Sequence, residues 1–162
     1  VQPRGICGSG LVDAVAVGLE LGLIHRSGRF ADGMSEWVLK PPVKLFQNDI
    51  RELQLAKGAV AAAMRILLRS WGAQASDVER IFLAGAFGNY INRTSARRIG
   101  LIQFPEGKVW PAGNTALLGA KIELFDEDPD SNLVSIRDRV EHIPVAADPH
   151  FEDIYVESMA FP

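Results

Sequence analysis

Cysteine is almost missing from this chain: Cys7 stands alone, which excludes an internal disulfide framework and a metal cluster ligated by this chain's own cysteines. Long apolar runs are missing too. The longest, residues 58–64, ends at Arg65 and is far too short to span a bilayer. No basic stretch leads into an apolar one, as a secretory leader would require, so the cytoplasm is the expected compartment and no membrane contact is expected. Basic charge is not in excess. Lys plus Arg number 17 against 20 Asp plus Glu, a formal charge of −3, which leaves no footprint for nucleic acid or an anionic membrane. His25, His142 and His150 lack ligand spacing, so no metal site is expected. Paired carboxylates, a G-x-x-x-x-G-K-[ST] loop and a nucleophile elbow are also absent, and no residue is assigned a catalytic role.

What is present describes a globular α/β domain. With 162 residues, 48% of them hydrophobic and 23% charged, the chain can bury a core as a single domain over residues 1–162. It opens on Val1 and runs at once into a glycine cluster, which reads as a piece of a longer protein. Leu11, Val15 and Leu19 have helical spacing, predicting a helix over 11–21 that opens at Ser9 or Gly10 and stops at Gly22. Short strands are predicted at 37–39 and 43–46. A long helix follows from the capping-box spacing of Asp49 and Glu52 to about Ser70, with Ile50, Leu53, Ala56, Val60, Ala63 and Leu67 on its inner face. One helical turn at 76–79 precedes a buried strand over 80–84, then a glycine turn and a helix from Thr94 to Ile99. Beyond it come a strand at 108–110, a turn at 112–114, a helix over 115–125, an acidic loop at 126–130, a helix over 133–140 and a strand at 142–145. The last helix is predicted to begin at Asp148-Pro149. Strands alternating with helices give the α/β class.

The most informative stretch is Arg80-Ile-Phe-Leu-Ala-Gly-Ala-Phe-Gly-Asn-Tyr90. A strand running into a glycine turn and then a helix lets a backbone approach a nucleotide, because Gly85 and Gly88 have no side chain to block it and turn amides can donate to oxygens. The same pattern is also ordinary αβ architecture. Gly5-Ile-Cys-Gly-Ser-Gly10 sits before a helix, where Gly8 and Ser9 permit close anion contact or simply form a loop and cap. Cys7 reads as a small buried hydrophobe. Lys57 lies between Ala56 and Gly58. With Glu52 it offers donors and acceptors suited to a ribose or an adenine edge, or else belongs to a solvated helix face. Arg93, Arg97 and Arg98 follow the glycine turn and could reach phosphate, although Arg93 and Arg97, four apart, read as a solvated helix face; Asp126, Glu127, Asp128 and Asp130 read as a solvated loop.

Taken in order, these pieces resemble the second lobe of the actin-like ATPases. Leu83-Ala-Gly-Ala-Phe-Gly88 corresponds in that resemblance to the adenosine motif, and residues 115–124 to the second connecting helix. A narrower resemblance covers the chain from Gly5 to Pro162. Gly5-Ile-Cys-Gly-Ser-Gly-Leu-Val-Asp-Ala14, Asp49-Ile-Arg-Glu-Leu-Gln-Leu-Ala-Lys-Gly58, Leu83-Ala-Gly-Ala-Phe-Gly-Asn-Tyr-Ile91, Ala147-Asp-Pro and the ending Met159-Ala-Phe-Pro162 are together similar to the reductive activators of corrinoid proteins.

The resemblance implies a ribonuclease-H-like lobe, a short mixed sheet flanked by helices, within an ATP-dependent protein carrying a [2Fe–2S] cluster. Such a protein returns cob(II)alamin to cob(I)alamin on a corrinoid partner, drawing on an electron donor to its iron–sulfur domain. It places Gly85, Ala86, Gly88 and Asn89 around the nucleoside, Lys57 and Glu52 at the ribose or base, and Gly8 and Ser9 near phosphate. The cluster cysteines and the phosphate loop that would hold magnesium are absent here, so the chain alone is expected to turn over no ATP. A homodimer is compatible with the sequence. Two other readings remain: a docking or dimerisation module of actin-like shape without nucleotide turnover, and a lobe of a small-molecule kinase.

Overall fold

A computed structural model describes residues 2–126 and 129–162. Val1 lies outside the described residues, as do Glu127 and Asp128 of the expected acidic loop.

Helix α1 spans Gly8–Glu20, and Cys7 caps it: its Sγ accepts from the Gly10 amide at 3.4 Å. It thus begins earlier than the apolar periodicity indicates, because a cap and first turn need no buried side chain. Strands β1 (Glu36–Lys40) and β2 (Val43–Phe46) form an antiparallel hairpin. Helix α2 (Gln47–Ser70) leaves β2 without a loop. Asp49 is not its cap but a first-turn residue, accepting from the Phe46 amide at 2.8 Å.

Strand β3 (Ile81–Ala84) runs directly into the short helix α3 (Gly85–Tyr90), so the expected glycine turn is itself helical. Helix α4 (Arg93–Arg98), capped by Asn92, leads towards β4 (Val109–Gly113), and β4 lies parallel to β3 with Phe82 opposite Trp110. Helices α5 (Thr115–Leu124), α6 (Pro129–Arg137) and α7 (Phe151–Met159) complete the chain. The fold is α/β as expected, with its described strands in two separate two-stranded ladders, one antiparallel and one parallel.

Several local expectations fail, among them the acidic loop at 126–130, whose Pro129 and Asp130 belong to α6. Residues 75–77 form a turn closed by the Asp77 carboxylate on the Gln74 amide rather than helix, residues 142–144 are irregular rather than strand, and α6 ends at Arg137 rather than Val140. Asp148 accepts from the His150 amide through its side chain, and the helix it introduces begins only at Phe151.

The core lies where α1, α2 and α4 meet the inner faces of the strands. Val12, Val15, Leu45, Ile50, Ile99, Val109 and Phe161 are buried together there. Helix α7 packs along α2. Among the described residues, no helix is long and apolar enough to cross a membrane.

Candidate functional site

Two chain segments expected to approach a nucleotide are brought side by side. A methyl group built on Gly8 would meet the Phe87 ring at 3.3 Å, so the bare backbone of Gly8 is what lets the start of α1 rest against α3. Ser9 follows in the first turn of α1, its hydroxyl 3.3 Å from Cys7 Sγ. Cys7 is exposed, not buried as expected, because the cap position points its side chain back over the helix end. The Ser9 hydroxyl, and after it the Gly10 amide, hold the Cys7 thiol below its ordinary pKa.

Gly85 and Gly88 differ in kind. Gly85 has φ +80 with open space where a side chain would stand, so its conformation requires glycine and its surface is free for a ligand. A methyl on Gly88 would lie 2.8 Å from the Leu83 carbonyl group. Gly88 is therefore buried against the end of β3, and its place is structural. Ala86 and Asn89 are exposed on α3. The Asn89 side-chain oxygen accepts from the Gly113 amide at 3.2 Å, tying α3 to the end of β4, and Asn114 then caps α5 through the Leu117 amide.

Lys57 and Glu52 lie apart from this group. Lys57 is 1% exposed, and its Nζ donates to the carbonyls of Ser158 at 2.7 Å and Ala160 at 2.8 Å, 5.4 Å from the centre of the Phe161 ring. Burial pushes its ammonium down to about 8. The structure thus corrects the expectation of a ligand-facing amine: Lys57 clasps the carboxy-terminal segment instead. Gln54, one turn earlier, donates to the Met159 carbonyl of that segment. Glu52 is exposed on another side of α2.

Over residues 1–162 the sequence matches the family model described as the C-terminal domain of RACo, the ASKHA domain. The chain belongs to this family. It is 33% identical to the corrinoid activation enzyme RamQ of Eubacterium limosum, across 98% of this chain and 31% of that protein. It is 27% identical to a [Co(II) methylated amine-specific corrinoid protein] reductase of Methanosarcina barkeri, across 97% of this chain and 29% of that protein. A solved reductive activator for corrinoid, iron-sulfur protein superposes with a TM-score of 0.84 at 28% identity, covering 97% of this chain and 28% of that one. The chain therefore spans about a third of the length of these relatives.

The structure of this RACo-family domain gives several residues roles that the sequence did not assign to them. Phe87 separates the two glycine segments. Gly113 and Asn114 join the same corner through Asn89, a link hinted at only by the turn expected at 112–114. Asp13, one turn along α1 from Ser9, has a buried carboxylate oxygen with no hydrogen-bond partner among the described residues. Arg93, expected on a solvated face, donates to the Val109 carbonyl at 2.9 Å and so braces β4.

At Gly85 the space that a side chain would fill is open. A [2Fe–2S] cluster does not fit this chain, which has one cysteine where such a cluster takes four protein ligands, usually all cysteine. Among the described residues, no three His, Cys, Asp or Glu side chains gather as ligands for a metal ion.

Proposed function

We propose that this domain is the nucleotide-binding lobe of an ATP-dependent activator that returns cob(II)alamin to cob(I)alamin on a corrinoid protein. The observation that carries the reading is the corner where α3, entered through Gly85 at φ +80 with open space beside it, rests its Phe87 ring against Gly8 at the start of α1. Gly85, Ala86 and the Asn89 amide nitrogen, which bonds to none of the described residues, face the nucleoside, and Gly8 and Ser9 lie towards its phosphates, where unpaired amides at a helix start favour an anion. Gly88 serves by letting α3 sit against β3. Glu52 belongs to a ribose contact only if the bound state brings α2 closer. Lys57 acts through the carboxy-terminal segment.

Magnesium, the iron–sulfur cluster and its electron donor belong to the remainder of a protein as long as its relatives. The 162-residue chain alone accordingly hydrolyses no ATP. The domain's own contribution is differential: nucleotide acts only through whichever arrangement of the activator it binds more tightly.

The test is the full-length protein and its Gly85→Val variant, assayed for ATP binding by calorimetry and for reduction of cob(II)alamin on a corrinoid protein. The variant should lose ATP binding and ATP-dependent reduction while the visible iron–sulfur spectrum stays unchanged. Equal ATP affinity in both proteins would remove the nucleoside assignment. A full-length protein with no cluster spectrum and no corrinoid reduction would remove the activator reading.

A further inference from the structure

A cleft of about 750 Å³ opens on the opposite side of the turn preceding β1, between residues 27–34 and the first turns of α2. Its walls are fixed by side chain to backbone bonds. Gln47 accepts from the Phe30 amide at 3.2 Å and donates to the Gly28 carbonyl at 2.7 Å, and Gln54 donates to the Ser27 carbonyl at 3.1 Å. Arg29, from the 27–34 segment, and Arg51 and Asn48, from α2, line it. Neither arginine has an ion pair among the described residues, whereas Lys44, Arg65, Arg69 and Arg98 each reach a carboxylate at 2.5–2.7 Å. Of the acidic groups close in sequence, Asp49 is turned to the Phe46 amide, while Asp32 and Glu52 are exposed and neither lines the cleft. Gln54 closes the floor. It is 2% exposed, its amide nitrogen is spent on Ser27 and Met159, and its amide oxygen accepts from none of the described residues.

We propose that this cleft docks a carboxylate-bearing loop of a protein partner. Two guanidinium groups that line one cleft, without an ion pair among the described residues, can recognise a carboxylate through paired donors. The acceptor on the floor suits a backbone N–H of the same loop. An enclosed site buries most of a small ligand, but this cleft lies open along one flank, as a docking surface for a protein does. The lining of the cleft holds two arginines and no carboxylate, although the chain as a whole carries a formal charge of −3. The partner's identity as a corrinoid protein rests on the function proposed above; the carboxylate chemistry does not.

The first arm titrates full-length protein, isotope-labelled at arginine and glutamine, with an acetylated triglutamate peptide. The Nε–H signals of Arg29 and Arg51 and the Gln54 side-chain amide should shift together, and all three shifts should vanish in an R29E/R51E variant. No shift at millimolar peptide overturns the proposal. So does a shift with inorganic phosphate alone, which would make the cleft a phosphoryl site.

The second arm measures cob(II)alamin reduction against corrinoid-protein concentration. R29E/R51E should raise the half-saturating concentration roughly tenfold or more and flatten its salt dependence, with the rate at saturation retained. An unchanged half-saturating concentration overturns docking by the partner. If wild type reduces no corrinoid protein, the function reading fails while the peptide arm still decides the cleft.

Discussion

Gly85 and Gly88, three residues apart, are glycines for opposite reasons, and substitutions should separate them. At Gly88 an added methyl meets the backbone of Leu83, which cannot move without shifting β3. Gly88→Ala should therefore cost about 1–3 kcal/mol of stability through overpacking. At Gly85 the methyl meets open space and the cost is the left-handed backbone alone, roughly 1–2 kcal/mol. Denaturant melts of both variants, followed by ATP titration in the full-length protein, check the distinction. Gly88→Ala should lose stability with ATP affinity recoverable in the folded fraction, whereas a larger side chain at Gly85 should lose affinity outright.

Lys57 makes a second prediction at this scale. Its amine holds two carbonyls of the carboxy-terminal segment, and Lys57→Met leaves both without a donor, at about 1–3 kcal/mol each. The pH dependence has a definite sign. The folded value is about 8 against 10.5 for a free lysine, so between these the unfolded chain binds more protons and stability rises with pH. The neutral amine still has two N–H groups for the two carbonyls, so the clasp survives deprotonation. The stability gap between wild type and Lys57→Met should accordingly widen from pH 8 to pH 10. A gap that narrows would show that the amine needs its charge in place.

At the scale of elements, α2 is fastened to the segment leading into α7 by Arg69, which meets both carboxylate oxygens of Asp148 at 2.6 and 2.7 Å. The guanidinium, with the His150 amide behind it, holds the Asp148 carboxyl below its ordinary range. A carboxyl lowered in the folded state stabilises it above the unfolded pKa and loses that effect as pH falls through the folded one. Thermal melts should show Asp148→Asn less stable than wild type at neutral pH, with the difference shrinking towards zero in acid. A difference that persists at low pH would assign the loss to packing.

The same helix shows how far the sequence could be read. The existence and end of α2 were legible, because apolar spacing and Gly72 mark them. Its inner face was not. Ala56, Val60 and Leu67 are less buried than the expected stripe requires, and Gln54 and Lys57 lie inside in their place. Polar side chains can go inward only when carbonyls await them, and those carbonyls come from residues about a hundred positions later. The glycine corner was readable for a different reason: its requirement is local, set by one φ value and one close approach. The strand expected at 142–145 failed because Pro144 stands between Ile143 and Val145 without an N–H to give a ladder, and none of the described strands pairs there.

For the whole molecule, the decisive feature is an uncovered parallel ladder. Parallel strands are ordinarily buried on both faces. Here Phe82 and Trp110, directly opposite in register, are 62% and 53% exposed on the face turned away from the core. Helix α5 has no buried residue among those described, although Leu117, Leu118, Ile122 and Leu124 are all apolar. A surface of this kind is expensive to leave in water, at roughly 25 cal/mol for each Å² of apolar area. The isolated chain should therefore self-associate as its concentration rises, and sedimentation velocity measures this directly. Phe82→Lys with Trp110→Lys should return it to a monomer at the same concentration without lowering its melting temperature, since neither side chain contributes to the core. A chain that stays monomeric at high micromolar concentration with both aromatics intact would mean that this face is protected in solution by rearrangement of α5.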